Sequence, residues 1–249
     1  MKASDILKPK ITSKIAAAVF VFIGIYLLLF TEHRNAGLGA LFIGIFTGLI
    51  VNESTVEEEV ATAEMESSTE PLHSLLTDLK VLGNGVMVPP SGDLSKTRVY
   101  VPAGKDLRRL PDLFDEMVVV TGGTGRLGIS LVPPGEPIYG KALSKLDYRG
   151  DGIEGAREVM GMLSHGMGMA GSFSVREEQD EFKLRITHGR YLDYCDKTMS
   201  RSEGICQKTA CPLCSAYLMA LVEGVSSPLA IKDFEREGPH VKYTLEALE

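Results

Sequence analysis

Two apolar runs without charged residues stand near the start of the chain, at 15–30 and 36–51, and the polar residues 31–35 connect them. As a helix, each run would extend roughly 24 Å, and a bilayer core is about 30 Å thick, so flanking residues must help to close the gap. Four lysines precede the first run, which predicts a cytoplasmic N-terminus by the positive-inside rule. We therefore expect a two-span transmembrane helical hairpin over 15–51 in the cell membrane, with both chain termini in the cytoplasm.

Two other interpretations of these runs are a secretory signal peptide and a buried hairpin of a soluble protein. No small-residue cleavage site follows the first run, and neither run has a polar face, so both are less favoured. In the second run Ala40, Gly44 and Gly48 recur at every fourth residue. Small residues at this spacing allow helices to approach closely, and we expect them to pack against the first run. The expected partners are therefore the lipid bilayer and, less strongly, a second copy of this helix.

The pattern of polar and apolar positions changes after residue 51. Residues 52–70 carry seven glutamates and no basic residue, which predicts an acidic linker, in contrast to the basic segment 1–14. A stripe of leucines at helical spacing follows a predicted helix start at Thr69. The folded domain is therefore expected to cover 71–249.

Within this domain, strand signals come first and helices and hairpins follow. Three β-rich runs between residues 85 and 135 each end at Val-Pro and a glycine turn, which predicts a layer of short strands. Residues 151–166 and 211–223 have helical spacing, whereas 172–188 alternates as a β-hairpin, and a second hairpin is expected after residue 228. The expected fold is an N-terminal transmembrane α-hairpin plus a cytoplasmic α+β domain, in which the β-layer is followed by helix, hairpin, helix and hairpin.

Composition and charge exclude several classes of function. The 249 residues include 26 basic and 33 acidic ones, for a net charge of −7, so a protein that binds nucleic acid through phosphates is not expected. Glycine-rich motifs at 117–128 and 166–171 resemble nucleotide-binding loops. A strand follows each of them where a helix would be needed to bind the phosphates. We therefore expect no NAD(P) cofactor.

The clearest chemical signal is that all four cysteines fall within twenty residues, at Cys195, Cys206, Cys211 and Cys214. Structural disulfides are disfavoured on the reducing cytoplasmic side. One interpretation is a tetrahedral zinc site with four thiolate ligands, with His188 as an alternate ligand. An iron–sulfur cluster is less favoured, because the fourth cysteine lies upstream of the C-x4-C-x2-C spacing.

Two further interpretations of the cysteines remain open. The motif from Cys211 to Cys214 opens a predicted helix, whose dipole lowers the pKa of a thiol, so the pair could undergo redox chemistry with Cys214 as the reactive thiol. Alternatively, the four cysteines are small apolar residues of the core. The candidate acid–base groups His165, His188 and Asp193 have no diagnostic spacing, so no catalytic residue is assigned.

Two resemblances rest on these segments. The motifs VMVPP, VYVP and GISLVPPG, with the segment CPLCSAYLMALVEGVSSPLAI, resemble a group of uncharacterised archaeal membrane proteins. The order of elements in 151–247 is also similar to the 4-vinyl-reductase domain, a small-molecule-binding relative of the transport-particle subunits. The residues carried over from that domain are Cys206, Cys211 and Cys214. This chain departs from its pattern in the last hairpin, where 234–241 carries no cysteine.

The function expected from the sequence is a membrane-anchored cytoplasmic binding or sensor module with an unidentified ligand, to which a four-cysteine structural metal site would belong. One alternative is a thiol-redox or reductase-like enzyme that uses Cys211 and Cys214. The other is a scaffold subunit of a membrane complex. No protein partner is indicated.

Overall fold

The computed structural model describes residues 9–51, 58–105, 107, 109–121, 127–146, 150–179, 181–189 and 191–248. Parts of the predicted basic segment (1–8), of the acidic linker (52–57) and of the first glycine-rich motif (122–126) lie outside the described residues. The chain divides into two compact units, Met1–Glu57 and Glu58–Glu249.

The first unit is a pair of antiparallel helices, α1 (Pro9–Phe30) and α2 (Arg34–Val51). Glycines let them approach closely, because a Cβ added at Gly24 would lie 2.6 Å from the backbone nitrogen of Leu41. A Cβ added at Gly44 would lie 2.7 Å from the backbone nitrogen of Val21, so part of the small-residue stripe faces α1.

The prediction of an N-terminal transmembrane hairpin is corrected by the lengths of the apolar helices. Within the described residues one helical run is long and apolar enough to span a bilayer, and this run is Ile205–Val225. It is 89% buried, so it is a core segment of the second unit. The apolar part of α1, Ile15–Phe30, is too short to qualify. As a helix, this apolar part is roughly 24 Å long, whereas a bilayer core is roughly 30 Å thick, so it does not reach across the membrane.

The second unit is built on one eight-stranded antiparallel sheet with the strand order β3-β4-β2-β1-β7-β8-β6-β5. The strands are β1 (Val86–Val88), β2 (Arg98–Pro102), β3 (Val119–Thr121), β4 (Leu127–Leu131), β5 (Ser172–Glu178), β6 (Glu181–Thr187), β7 (Leu229–Glu237) and β8 (His240–Ala247). β1 pairs with both β2 and β7, so the predicted layer of short strands is not a layer of its own but one half of a sheet that the two hairpins complete.

Burial explains the two kinds of strand in this sheet. Phe182, Leu184 and Ile186 of β6 point into the core and alternate with exposed residues, as expected for a sheet with one covered face. β1 and β2 are buried at every position, because a second apolar cluster covers their other face. That explains why their sequences, apart from the buried Arg98 at the start of β2, are apolar without alternation.

Helices cover the inner face of the sheet. They are α3 (Glu58–Asp78), α4 (Glu136–Leu143), α5 (Gly152–Gly161), α6 (Leu192–Arg201), α7 (Ile205–Lys208) and α8 (Pro212–Val225), and a π-helical turn extends α5 over Met162–Gly166. α8 packs against α4, α5 and β1. α3 passes through Pro71, so this helix begins well before the predicted start at Thr69.

Candidate functional site

The predicted C-x-x-C pair lies at the start of the central helix α8. Cys211 is its N-cap in an extended conformation, and its Sγ accepts a hydrogen bond from the backbone N–H of Cys214 at 3.5 Å. Pro212 occupies the first turn, where its missing N–H is not needed. The sulfur of Cys211 therefore faces the N-terminal, positive end of the α8 dipole.

The backbone just before this pair is strained. Ala210 has a φ of 58°, in the left-handed region that an alanine seldom adopts, and it is fully buried. Gly135 lies against the first turn of α8, and a Cβ added there would be 2.4 Å from the carbonyl oxygen of Pro212. The start of α8 is thus held tightly from both sides.

The structure buries all four cysteines, and all four are free thiols. Cys211 is 2% exposed and Cys214 is 1% exposed. Cys195 lies in α6 and Cys206 in α7, and both belong to the same core. The four cysteines that lie within twenty residues of the sequence therefore belong to one core. We call Cys195, Cys206, Cys211 and Cys214 the thiol cluster.

The pKa values of the two thiols at the start of α8 are shifted in opposite directions. Hydrogen bonding from the Cys214 thiol is the largest cause that lowers the pKa of Cys211, and the backbone N–H groups of Cys214 and Leu213 and the Tyr194 hydroxyl add to it. The pKa of Cys214 is raised well above its usual value, first by that hydrogen bond and then by burial. Cys211 is therefore the more acidic thiol of the pair, which is opposite to the low pKa that the sequence led us to expect for Cys214.

The other two thiols stay protonated. Burial raises the pKa of Cys195 to about 12, and the charge of Cys211 adds to this effect. Burial also raises the pKa of Cys206 well above its usual value, again with a contribution from Cys211. A thiolate at either of these positions would be disfavoured by burial, and it would also be repelled by negative charge on Cys211.

Polar side chains from three elements surround the thiol cluster. His188, which follows β6, places Nε2 4.0 Å from the Sγ of Cys214, and its Nδ1 has no hydrogen-bond partner within the described residues. Burial lowers the pKa of His188 to about 4, with a further contribution from the charge of Arg236. Tyr243 of β8 and Tyr194 of α6 are also buried against the thiols.

The predicted four-cysteine metal site has no preformed geometry in the described part of the chain. Within the described residues, no group of three or more His, Cys, Asp or Glu side chains is arranged to hold a metal ion. The four-cysteine zinc site therefore stays a prediction, and binding would need the side chains to move.

The sequence did not indicate Tyr194, because a tyrosine on an amphipathic helix has no spacing that marks it as a site residue.

In this α+β domain, helices and an antiparallel sheet enclose a buried C-x-x-C pair. Residues 15–196 match the family described as Domain of unknown function (DUF7982), and the chain belongs to that family. The match includes Cys195, whereas Cys206, Cys211 and Cys214 lie beyond its end. Comparisons with curated proteins and with solved structures found no significant match.

Proposed function

We propose that residues 58–249 form a sensor domain that responds to thiol–disulfide conditions through Cys211 and Cys214. The observation that carries this proposal is the geometry of the C-x-x-C motif, in which Cys211 caps α8 and its Sγ accepts a hydrogen bond from the backbone N–H of Cys214 at 3.5 Å. The opposite directions of the two pKa shifts agree with this geometry. In thiol–disulfide exchange, a thiolate makes the first attack and a second thiol nearby completes the reaction. Cys211 supplies the thiolate, and Cys214 is the adjacent thiol.

The oxidant is a small-molecule disulfide. The Cys211 thiolate attacks one of its sulfurs, forms a mixed disulfide and releases the other half as a thiolate. The Cys214 sulfur then attacks Sγ of Cys211 and expels the second half, which leaves as a thiol with the Cys214 proton. Two electrons pass from the two cysteine sulfurs to the reagent, and the Cys211–Cys214 disulfide remains.

Because Cys211 and Cys214 are buried, we expect their oxidation to be slow, unlike that of a thiol in an open active site. Both cysteines are 2% exposed or less, so a reagent reaches them only when the structure opens locally. The rate of oxidation should then depend on the population of that open state. This behaviour fits a sensor, whereas an enzyme that turns over substrate needs an accessible thiol.

The test is incubation of the full-length reduced chain with oxidised glutathione, followed by a count of free thiols. We expect the wild type to lose two thiols and to regain them on reduction. Cys211→Ser and Cys214→Ser should form no intramolecular disulfide, whereas the matched control Cys195→Ser should behave as the wild type. Loss of two thiols in Cys214→Ser, or no loss in the wild type, would overturn the proposal.

A metal-binding role for the same cluster is a second candidate. It is supported by the buried Nδ1 of His188, which has no hydrogen-bond partner within the described part of the chain, and by the imidazole that lies 4.0 Å from Cys214. A soft cation such as Zn²⁺ would also neutralise the Cys211 thiolate. Elemental analysis of the reduced full-length chain tests this role. One zinc per chain supports it, and a metal-free chain whose unfolding is unchanged by added zinc contradicts it.

The finer expectations from the sequence remain predictions. They are the likeness of residues 151–247 to the 4-vinyl-reductase domain, the archaeal origin, the cytoplasmic location and the scaffold alternative. A sensor domain with a small-molecule disulfide as its reagent is compatible with the first of these, because that domain is a small-molecule binder.

A further inference from the structure

Met199 of α6 is exposed to solvent and contacts a cation. Among the methionines that the structure describes, Met199 is the exposed one, at 36%, whereas Met87, Met160 and Met219 are 2% exposed or less. Its Sδ accepts a hydrogen bond from Nη1 of Arg236 on β7 at 3.7 Å. A small oxidant can therefore reach Met199, and a charged donor already lies beside its sulfur.

Arg236 joins β7 to two successive turns of α6. Its Nη1 also forms an ion pair with Oδ1 of Asp196, which lies three residues before Met199 on the same face of the helix. The two protons of Nη1 thus have one acceptor each, and Nε donates to the carbonyl oxygen of Gly238 at 3.1 Å. The side chain of Arg236 is only 17% exposed, and a thioether is a weak acceptor for a cation that is largely removed from water. The hydrogen bond to Met199 is therefore the weak contact at this junction between α6 and β7.

We propose that Met199 is a site of reversible oxidation by hydroperoxides, and that its sulfoxide strengthens the junction between α6 and β7. A lone pair of Sδ attacks one oxygen of hydrogen peroxide, so the S–O bond forms and the O–O bond breaks. The departing hydroxide takes the proton of the transferred oxygen and leaves as water, and two electrons pass from the sulfur to the peroxide. The sulfoxide oxygen is a stronger acceptor than the thioether and accepts the hydrogen bond from Arg236. This inference goes beyond the proposed function, because it involves neither Cys211 nor Cys214.

The first experiment treats the full-length reduced chain with hydrogen peroxide and locates the sulfoxides by peptide mass spectrometry. Dithiothreitol is added before the analysis, because it returns disulfides to thiols and leaves sulfoxides in place. We expect Met199 to be oxidised at least about 10-fold faster than Met160 and Met219, since susceptibility follows exposure. Methionine sulfoxide reductases should then restore Met199 in the folded chain. Equal rates at the three positions would overturn the assignment of the site.

The second experiment measures hydrogen exchange in peptides that cover 192–201, before and after oxidation. In the wild type, we expect exchange to be about 5-fold slower after oxidation, because the charged donor gains a strong acceptor. Met199→Gln places an amide oxygen near the position of the sulfoxide oxygen, so it should show slow exchange without peroxide.

Two variants serve as controls for this exchange measurement. Met199→Leu has no sulfur to oxidise at this position, and Arg236→Met lacks the donor, so peroxide should change the exchange of α6 in neither of them. If the sulfoxide forms at Met199 and exchange in α6 of the wild type is unchanged or faster, the strengthening of the junction is wrong. A response of the same size in Met199→Leu would also overturn it, since other oxidised residues would then be the cause.

Discussion

The pH dependence of stability should be dominated, in the range below neutrality, by the buried imidazole of His188. This side chain is 3% exposed, and its pKa is lowered from 6.5 to about 4, chiefly by burial and then by the charge of Arg236. The neutral form is thus favoured in the folded state. In the unfolded chain His188 gains a proton at a higher pH, so protonation favours unfolding.

The sign and size of the effect follow from the two pKa values. Above pH 6.5 the imidazole is neutral in both states, and its contribution to stability is fully present. As the pH falls from 6.5 towards 4, the unfolded state binds a proton that the folded state does not, and the free energy of unfolding falls. The pKa difference corresponds to a loss of about 3 kcal/mol, at 1.36 kcal/mol per pKa unit.

The assay is urea unfolding of the full-length reduced chain at several pH values between 8 and 4, followed by circular dichroism. His188→Gln should remove the His188 contribution, so the free-energy difference between this variant and the wild type should change by about 3 kcal/mol over that range. His165→Gln is the control, since that imidazole is exposed, and its profile should match the wild type. A His188→Gln profile parallel to the wild type would refute the reasoning.

Two further predictions concern positions that hold the domain together. Gly85→Ala should lower the free energy of unfolding by at least about 1–3 kcal/mol, because the new Cβ would lie 1.7 Å from the carbonyl oxygen of Lys208. Gly104→Ala is its control, since nothing lies within 4 Å of the added Cβ. Equal urea midpoints for the two variants would contradict the predicted loss of stability in Gly85→Ala. Arg98→Met should cost about 2–5 kcal/mol, because the buried guanidinium donates to the carbonyl oxygens of Asp115, Met117 and Ser130. A urea midpoint of Arg98→Met within error of the wild type would contradict this prediction, because it would mean that water replaces the lost hydrogen bonds.

Local patterns predicted much of the second unit. The alternation in β6 and the helical spacing of α8 appear in the structure where the sequence places them, since each depends on which side chains face one core. Pairing between distant segments was not predictable in the same way. No pattern within either segment shows that β1 pairs with β7, about 140 residues away along the chain.

Part of the candidate site could be found from the sequence. The clustering of Cys195 to Cys214 is visible as a motif, and the N-cap position of Cys211 follows from the Pro at the start of α8. Which thiol is the more acidic depends on hydrogen bonds that only the fold supplies. Tyr194 and Thr69 meet across 125 positions in the chain, so their contact has no local signature.

The most direct test of the account is the position of the disulfide after oxidation. Trypsin cleavage after Lys208 and Lys232 places Cys211 and Cys214 together in one peptide, Thr209–Lys232, whereas Cys206 and Cys195 fall in two other peptides. After treatment with oxidised glutathione and blocking of the remaining thiols, we predict that Thr209–Lys232 is lighter by two hydrogen atoms and carries no blocking group. Blocked thiols on this peptide, or a crosslink from it to the Cys206 peptide, would contradict the assignment of Cys211 and Cys214 as the responsive pair.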